Sequence, residues 1–120
     1  MTNILEKIIQ EKKETLKIVK KNNSLSSLEN KIKTIKTFLN FKDAISHNKK
    51  ISLISEIKKA SPSAGILIEN FNHLDIAKIY VDNGATCLSV LTEEKNFLGK
   101  LEYIEDIKTK FKIPVLAKDF

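Results

Sequence analysis

Three short apolar segments, separated by stretches long enough for a helix, constrain the fold of this chain most. They are residues 51–57, 86–91 and 115–118, and they are rich in β-branched and aliphatic side chains, as strands are. Because each connection can hold a helix, we predict that the strands are parallel. Their near-continuous apolar character is typical of a sheet that is buried on both faces.

The two connections carry helix signals. Asn72, followed by Asp75, predicts the start of one helix, and Asn83-Gly84 predicts its end. The second connection has an apolar stripe at helical spacing, with acidic residues early and lysines late, which suits the helix dipole. The stripe consists of Leu101, Ile104, Ile107 and Phe111. Segments 61–65 and 92–99 are predicted loops, so residues 51–120 predict a β-α-β-α-β unit of the α/β class.

Residues 1–50 predict an N-terminal helical extension, separate from the unit formed by residues 51–120. Asn3 and Glu6 form a plausible capping pair for a helix over residues 3–20. A short helix is also predicted over residues 28–36. Asn40 with Asp43 indicates a further helix start.

Composition excludes several classes of protein. The chain has 120 residues and 42% hydrophobic residues, which is typical of one small globular domain. It has no apolar run long enough to span a membrane and no secretory leader. Cys87 is the one cysteine, so no internal disulfide can form, and we expect a reducing cytoplasm.

Lysine dominates the charge of the chain. The net charge is +6, all 21 basic residues are lysine, and 14 of them lie in residues 1–60. A basic N-terminal half raises the alternative of a small nucleic-acid-binding protein. Arginine, the commoner reader of guanine, is absent, and lysine-rich helices are more often solvated faces.

Charged residues follow the predicted strands at their C-terminal ends, where parallel α/β sheets place active sites. Glu56 and Lys58 end the first strand on one face, and Lys118 ends the third. A lysine among apolar residues loses solvation, which lowers its pKa and makes it a proton donor near neutral pH. It can equally stay charged and bind phosphate or carboxylate, or simply reach solvent, and the sequence does not choose between these roles.

Four runs of residues carry a resemblance to a known family. They are Ser55–Ser63 with Gly65, Leu88–Gly99, Ile113–Phe120 and Phe41–Ala44. In this order and spacing they resemble the motifs of the indole-3-glycerol phosphate synthases. The resemblance implies an incomplete TIM (β/α)8 barrel, in which this chain supplies the N-terminal extension and the first three parallel strands.

The resemblance also implies a function in tryptophan biosynthesis. The family converts 1-(2-carboxyphenylamino)-1-deoxyribulose 5-phosphate to indole-3-glycerol phosphate with loss of carbon dioxide and water, without cofactor or metal. Lys118 matches the general acid of ring closure. Lys58 matches a second catalytic lysine, which holds the anionic groups of the substrate. Glu56 matches a carboxylate that positions these groups and assists proton movement. Ser61, Phe97 and Phe120 match positions that contact the substrate in the family.

The chain departs from the family pattern in places. Leu98 and Lys100 flank Gly99 where polar residues are frequent, Ala64 stands for a frequent lysine, and Ala117 for a frequent arginine. Three strands of a barrel that needs eight predict a truncated chain, inactive alone and missing the remainder of the barrel. Another phosphate-binding barrel, such as phosphoribosylanthranilate isomerase, is the alternative enzyme.

Overall fold

The computed structural model describes residues 3–47 and 50–119. The chain divides into two compact units, Met1–Phe38 and Leu39–Phe120. The first unit contains α1 (Ile4–Asn22) and α2 (Leu25–Thr34). The second contains α3 (Phe41–Ser46), α4 (His73–Asp82) and α5 (Glu102–Lys110), together with β1 (Ile54–Ile57), β2 (Ala60–Ser61), β3 (Gly65–Ile66), β4 (Cys87–Leu91) and β5 (Val115–Lys118). Helix α3, which the sequence assigned to the N-terminal extension, thus groups with the sheet.

The helices of the first unit begin at polar caps. Asn3 accepts a hydrogen bond from the Leu5 amide at 3.0 Å, and Glu6 accepts one from the Asn3 amide, which confirms the predicted capping box. Helix α2 begins earlier than predicted because Ser24 caps it by accepting from the Ser27 amide. No residue of α1 or α2 is buried.

Strands β1, β4 and β5 form a parallel sheet, which confirms the predicted parallel direction, and their order in the sheet is β1-β4-β5. Asn72 caps α4 by accepting from the Leu74 and Asp75 amides. Helices α4 and α5 cover one face of the sheet, and the core lies between these helices and the sheet. Its buried members are Ile57, Ala77, Leu88, Val90, Ile107 and Ile113.

Only the middle strand is buried along its whole length, so the expectation of a sheet buried on both faces is wrong for its neighbours. All five residues of β4 are buried, whereas residues alternate between more and less exposed along β1 and β5. Ile54 and Leu116, on the face away from the helices, are 44% and 46% exposed. The physical reason is position, since β1 and β5 form the two edges of this three-stranded sheet.

Two local predictions need correction. The first strand begins at Ile54 rather than Ile51. Just before it, the Leu53 amide donates to a side chain rather than to the main chain of the neighbouring strand, because Thr86 Oγ1 accepts its hydrogen bond at 2.9 Å. The Thr86 amide donates to the Leu53 carbonyl in return. The segment 61–65, predicted as a loop, forms the turn of an antiparallel hairpin made by β2 and β3. Gly65 has a φ of 66°, a conformation that favours glycine there.

The helices of the described residues include none that is both long and apolar enough to cross a membrane.

Candidate active site

The carboxylate of Glu56 lies between two lysine ammonium groups. Its Oε2 is 2.8 Å from Lys118 Nζ, and its Oε1 is 3.4 Å from Lys58 Nζ. The side chains are 28% exposed for Glu56, 33% for Lys58 and 47% for Lys118, so the cluster is open to solvent on one side. The three residues that the sequence selected at the strand ends therefore lie together on one face of the sheet.

The parallel register explains how residues 62 positions apart meet. Glu56 pairs with Ser89, and Leu91 pairs with Lys118, so β4 lies between the two charged residues. Alternate residues of a strand share a face, which puts the Glu56, Ser89 and Lys118 side chains on the same side. Two strand spacings, about 10 Å, separate β1 from β5, and the long side chains of Glu56 and Lys118 together span that gap.

The pair is charged at neutral pH. Partial burial pulls the pKa of Glu56 upward, but hydrogen bonds from Lys118 and Ser89 and the charge of Lys118 outweigh it, so the pKa lies below its ordinary value of 4.5. The hydrogen bond to Glu56 raises the pKa of Lys118 above its ordinary value of 10.5, against the opposing effect of desolvation. Lys118 therefore does not have the lowered pKa that the sequence left open as one role, because its side chain is about half exposed and its ammonium group is paired with Glu56.

The main chains of the paired residues are also held. The Lys118 carbonyl accepts from the Thr92 amide at 3.0 Å and from Thr92 Oγ1 at 3.1 Å. The Glu56 carbonyl accepts from Tyr80 Oη, on α4, at 3.0 Å. Both strand ends are thereby fixed by groups outside the Glu56–Lys118 pair itself.

Sequence reasoning missed Ser89. It is 4% exposed, and its Oγ donates to Glu56 Oε2 at 3.1 Å. A polar residue in the middle of an otherwise apolar strand was the signal that could have found it, because buried hydroxyls need a partner. That partner is the carboxylate of the cluster.

Glu93 organises the loop that follows β4. Only 6% exposed, its carboxylate accepts from the amides of Lys95, Asn96 and Phe97 at 3.1, 2.6 and 3.0 Å. Burial raises the pKa of Glu93, but these hydrogen bonds outweigh it, so the pKa lies below its ordinary value. In the sequence Glu93 is one of several charged residues that directly follow β4, and in the structure it is a buried anchor of the loop.

The predicted substrate contacts belong to three different segments of the chain. Ser61 bonds within its own hairpin, where its Oγ accepts from the Ala64 amide at 3.2 Å. Phe97 is half-buried in the loop anchored by Glu93. Phe120 lies outside the described residues. The substrate-binding roles of all three stay predictions.

Other reactive side chains have structural surroundings. Cys87 is fully buried in β4, and burial raises the pKa of its thiol. His73 Nε2 lies 2.8 Å from Asp106 Oδ2, and its ring stacks on Tyr103 at a centroid distance of 4.2 Å. Within residues 3–47 and 50–119, no group of three or more His, Cys, Asp or Glu is arranged to hold a metal ion.

Comparison with known proteins gives a consistent result. The family model described as Indole-3-glycerol phosphate synthase matches residues 5–120. A protein of that name from Desulforamulus reducens is 45% identical over 117 residues, which cover 98% of this chain and 44% of the relative. One from Aliarcobacter butzleri is 45% identical over 124 residues, and one from Legionella pneumophila (strain Lens) is 44% identical over 121 residues.

The chain spans less than half the length of these relatives, 46% for those from Aliarcobacter butzleri and Legionella pneumophila. The matches cover 98% and 100% of this chain, so they include both of its units. They give no support to the nucleic-acid-binding alternative or to phosphoribosylanthranilate isomerase.

Proposed function

This chain belongs to the indole-3-glycerol phosphate synthase family, and we propose that the protein it represents closes the indole ring in tryptophan biosynthesis. The reaction converts 1-(2-carboxyphenylamino)-1-deoxyribulose 5-phosphate to indole-3-glycerol phosphate, carbon dioxide and water. We propose that this chain forms the first three strands of a TIM barrel. The proposal places the enzyme in the cytoplasm, acting on a small phosphorylated substrate without metal, cofactor, nucleic acid or membrane.

One observation carries the proposal: a carboxylate bridges two ammonium groups at the C-terminal edge of a parallel sheet. Active sites of α/β barrels lie at this edge. Ring closure places negative charge on the ketone oxygen of the substrate, and a fixed ammonium group stabilises that charge. In our proposal Lys118 is that group, and it donates the proton as general acid.

The electrostatics suit this role for Lys118. Its raised pKa keeps the ammonium positively charged at neutral pH, so the charge that stabilises the ketone oxygen is in place when the substrate arrives. Glu56, charged and hydrogen-bonded to it, orients the ammonium and is placed to take part in the return of a proton. Lys58, on the other oxygen of Glu56, is proposed to hold an anionic group of the substrate.

A chimera tests the function. Residues 1–120 are joined to the C-terminal part of the Desulforamulus reducens relative that this chain does not cover. We expect the purified chimera to form indole-3-glycerol phosphate and to restore growth of a tryptophan-requiring host. The two parts expressed separately are the controls, and we expect neither to be active alone. A folded chimera that binds the substrate but forms no product would overturn the proposal.

A further inference from the structure

We propose that Ser89 is a positioning residue that sets the orientation and the charge of the Glu56 carboxylate. The expected effect on catalysis rests on the proposed function. The effect on the orientation of the Glu56 carboxylate rests only on the contacts of the side chains around it. Ser89 lies in the middle of the central strand, directly opposite Glu56 in the register. Its hydroxyl is buried and its Oγ is 3.1 Å from Glu56 Oε2.

The two oxygens of Glu56 have different surroundings. Oε2 accepts two hydrogen bonds, from Lys118 Nζ at 2.8 Å and from Ser89 Oγ at 3.1 Å. Oε1 faces Lys58 at the longer distance of 3.4 Å. Ser89 therefore fixes the rotation of the carboxylate, because turning it would move Oε2 away from both of its donors.

The direction of the Ser89 hydrogen bond gives it a second effect. A charged carboxylate has no proton to donate, so the hydroxyl must be the donor. A hydrogen bond donated to a charged carboxylate is stronger than one to a neutral acid, and it therefore favours the charged form of Glu56. In turn, a charged and correctly turned Glu56 keeps Lys118 protonated and in place.

The chain supplies a matched control. Ser55 precedes Glu56 on β1, is also buried, with 9% exposure, and projects from the opposite face of the sheet. Ser55→Ala and Ser89→Ala remove the same hydroxyl from neighbouring strands of the same sheet. Only the second change removes a hydrogen bond to Glu56.

The first measurement is independent of activity. The pKa of Glu56 is followed by carboxyl carbon NMR in the 120-residue chain, with the signal assigned by its loss in Glu56→Gln. We expect Ser89→Ala to raise the pKa of Glu56 and Ser55→Ala to leave it in place. An unchanged pKa of Glu56 in folded Ser89→Ala would overturn the inference. If Ser89→Ala does not fold, the same titration is carried out on Ser89→Cys, which has a similar volume and a weaker hydrogen-bond donor. We expect it too to raise the pKa of Glu56, and an unchanged pKa would overturn the inference.

The second measurement uses the active chimera. Ser89→Ala is expected to lower kcat about ten- to a hundred-fold, the equivalent of one hydrogen bond to a charged group, with little change in KM. The acid limb of the kcat profile should move to higher pH, whereas Ser55→Ala should match the parent. An inactive parent chimera would count against the proposed function alone, since the NMR titration still decides the role of Ser89. An active chimera in which both variants match the parent would contradict the positioning role.

Discussion

Glu56 Oε2 and Lys118 Nζ form a 2.8 Å ion pair across a strand to which neither residue belongs. The pair depends on the parallel order β1-β4-β5, on a register that puts both side chains on one face, and on two side chains long enough to meet over Ser89. Both partners also have their main-chain carbonyls bound by side chains from elsewhere in the unit. An ion pair whose side chains and main chains are both held by hydrogen bonds is typical of a site that has to keep its geometry.

Glu56→Gln is expected to remove the negative charge that both lysines share. The amide is neutral, so the pKa of Lys118 should fall toward its ordinary value, because its rise is due first to the hydrogen bond with Glu56. In the active chimera we expect kcat to fall about a hundred-fold or more, and the basic limb of the pH profile to move to lower pH. Glu94→Gln, which makes the same change at an exposed position in the loop after β4, is the control. A basic limb that stays in place would count against Glu56 as the partner that controls Lys118.

Glu93→Gln is expected to loosen the loop after β4. The amide keeps one acceptor oxygen but turns an NH2 group toward backbone amides that also donate, so part of the hydrogen-bond set at Lys95, Asn96 and Phe97 is lost. We expect a loss of about 2 to 3 kcal/mol in the free energy of unfolding, measured by denaturant titration. Glu94→Gln, which changes the next residue in the same way but at an exposed position, should cost little. Equal losses in the two variants would refute the anchoring role of Glu93.

The stability of the second unit should depend on pH through its two partly or fully buried carboxylates. Glu56 and Glu93 both have a pKa below the ordinary 4.5. Each therefore stabilises the fold fully above about pH 4.5, and that contribution is lost as the pH falls through the lower pKa of the folded state. The free energy of unfolding should decline on acidification from pH 5 to pH 3, and the decline should be shallower in Glu93→Gln. A decline of the same slope in wild type and Glu93→Gln would show that Glu93 does not contribute.

Gly99→Ala is expected to destabilise the fold because the added methyl group has no room, not because the backbone dihedral angles of Gly99 exclude alanine. A Cβ at Gly99 would overlap the Leu91 carbonyl oxygen, at the end of the central strand and beside Thr92. We expect a loss of about 3 kcal/mol, in the range of overpacked cores. Gly65→Ala is the comparison, since its Cβ meets open space and only its φ of 66° opposes alanine, at about 1 kcal/mol. If both variants unfold at the same denaturant concentration, the close approach at Gly99 is of no consequence.

Local patterns predicted the elements of the fold well. The caps at Asn3, Asn40 and Asn72 depend on residues three positions apart, so the sequence contains both partners side by side. The strands and their parallel direction followed from apolar runs and the length of the connections. The convergence of Glu56, Lys58 and Lys118 followed from the rule that parallel strands end at one edge, combined with alternation along β1.

Features that depend on the register or on loop geometry could not be predicted in the same way. The hydrogen bond between Ser89 and Glu56 requires knowing which residue of β4 lies opposite Glu56, and an apolar run does not fix that. Glu93 and Glu94 are adjacent acids in one charged run, and only the path of the loop decides that Glu93 turns inward. The charged state of Lys118 likewise depends on a partner that is 62 residues away.

The central claim is that Lys118 acts as the general acid, and it is tested by the rate of a single turnover in the chimera. Lys118→Ala should reduce the rate of product formation about a hundred- to ten-thousand-fold, the usual contribution of a positioned acid, while substrate still binds. Lys112→Ala, an exposed lysine just before β5, is the matched control and should react at the parental rate. A Lys118→Ala chimera that is folded, binds substrate and turns over at the rate of Lys112→Ala would contradict the account.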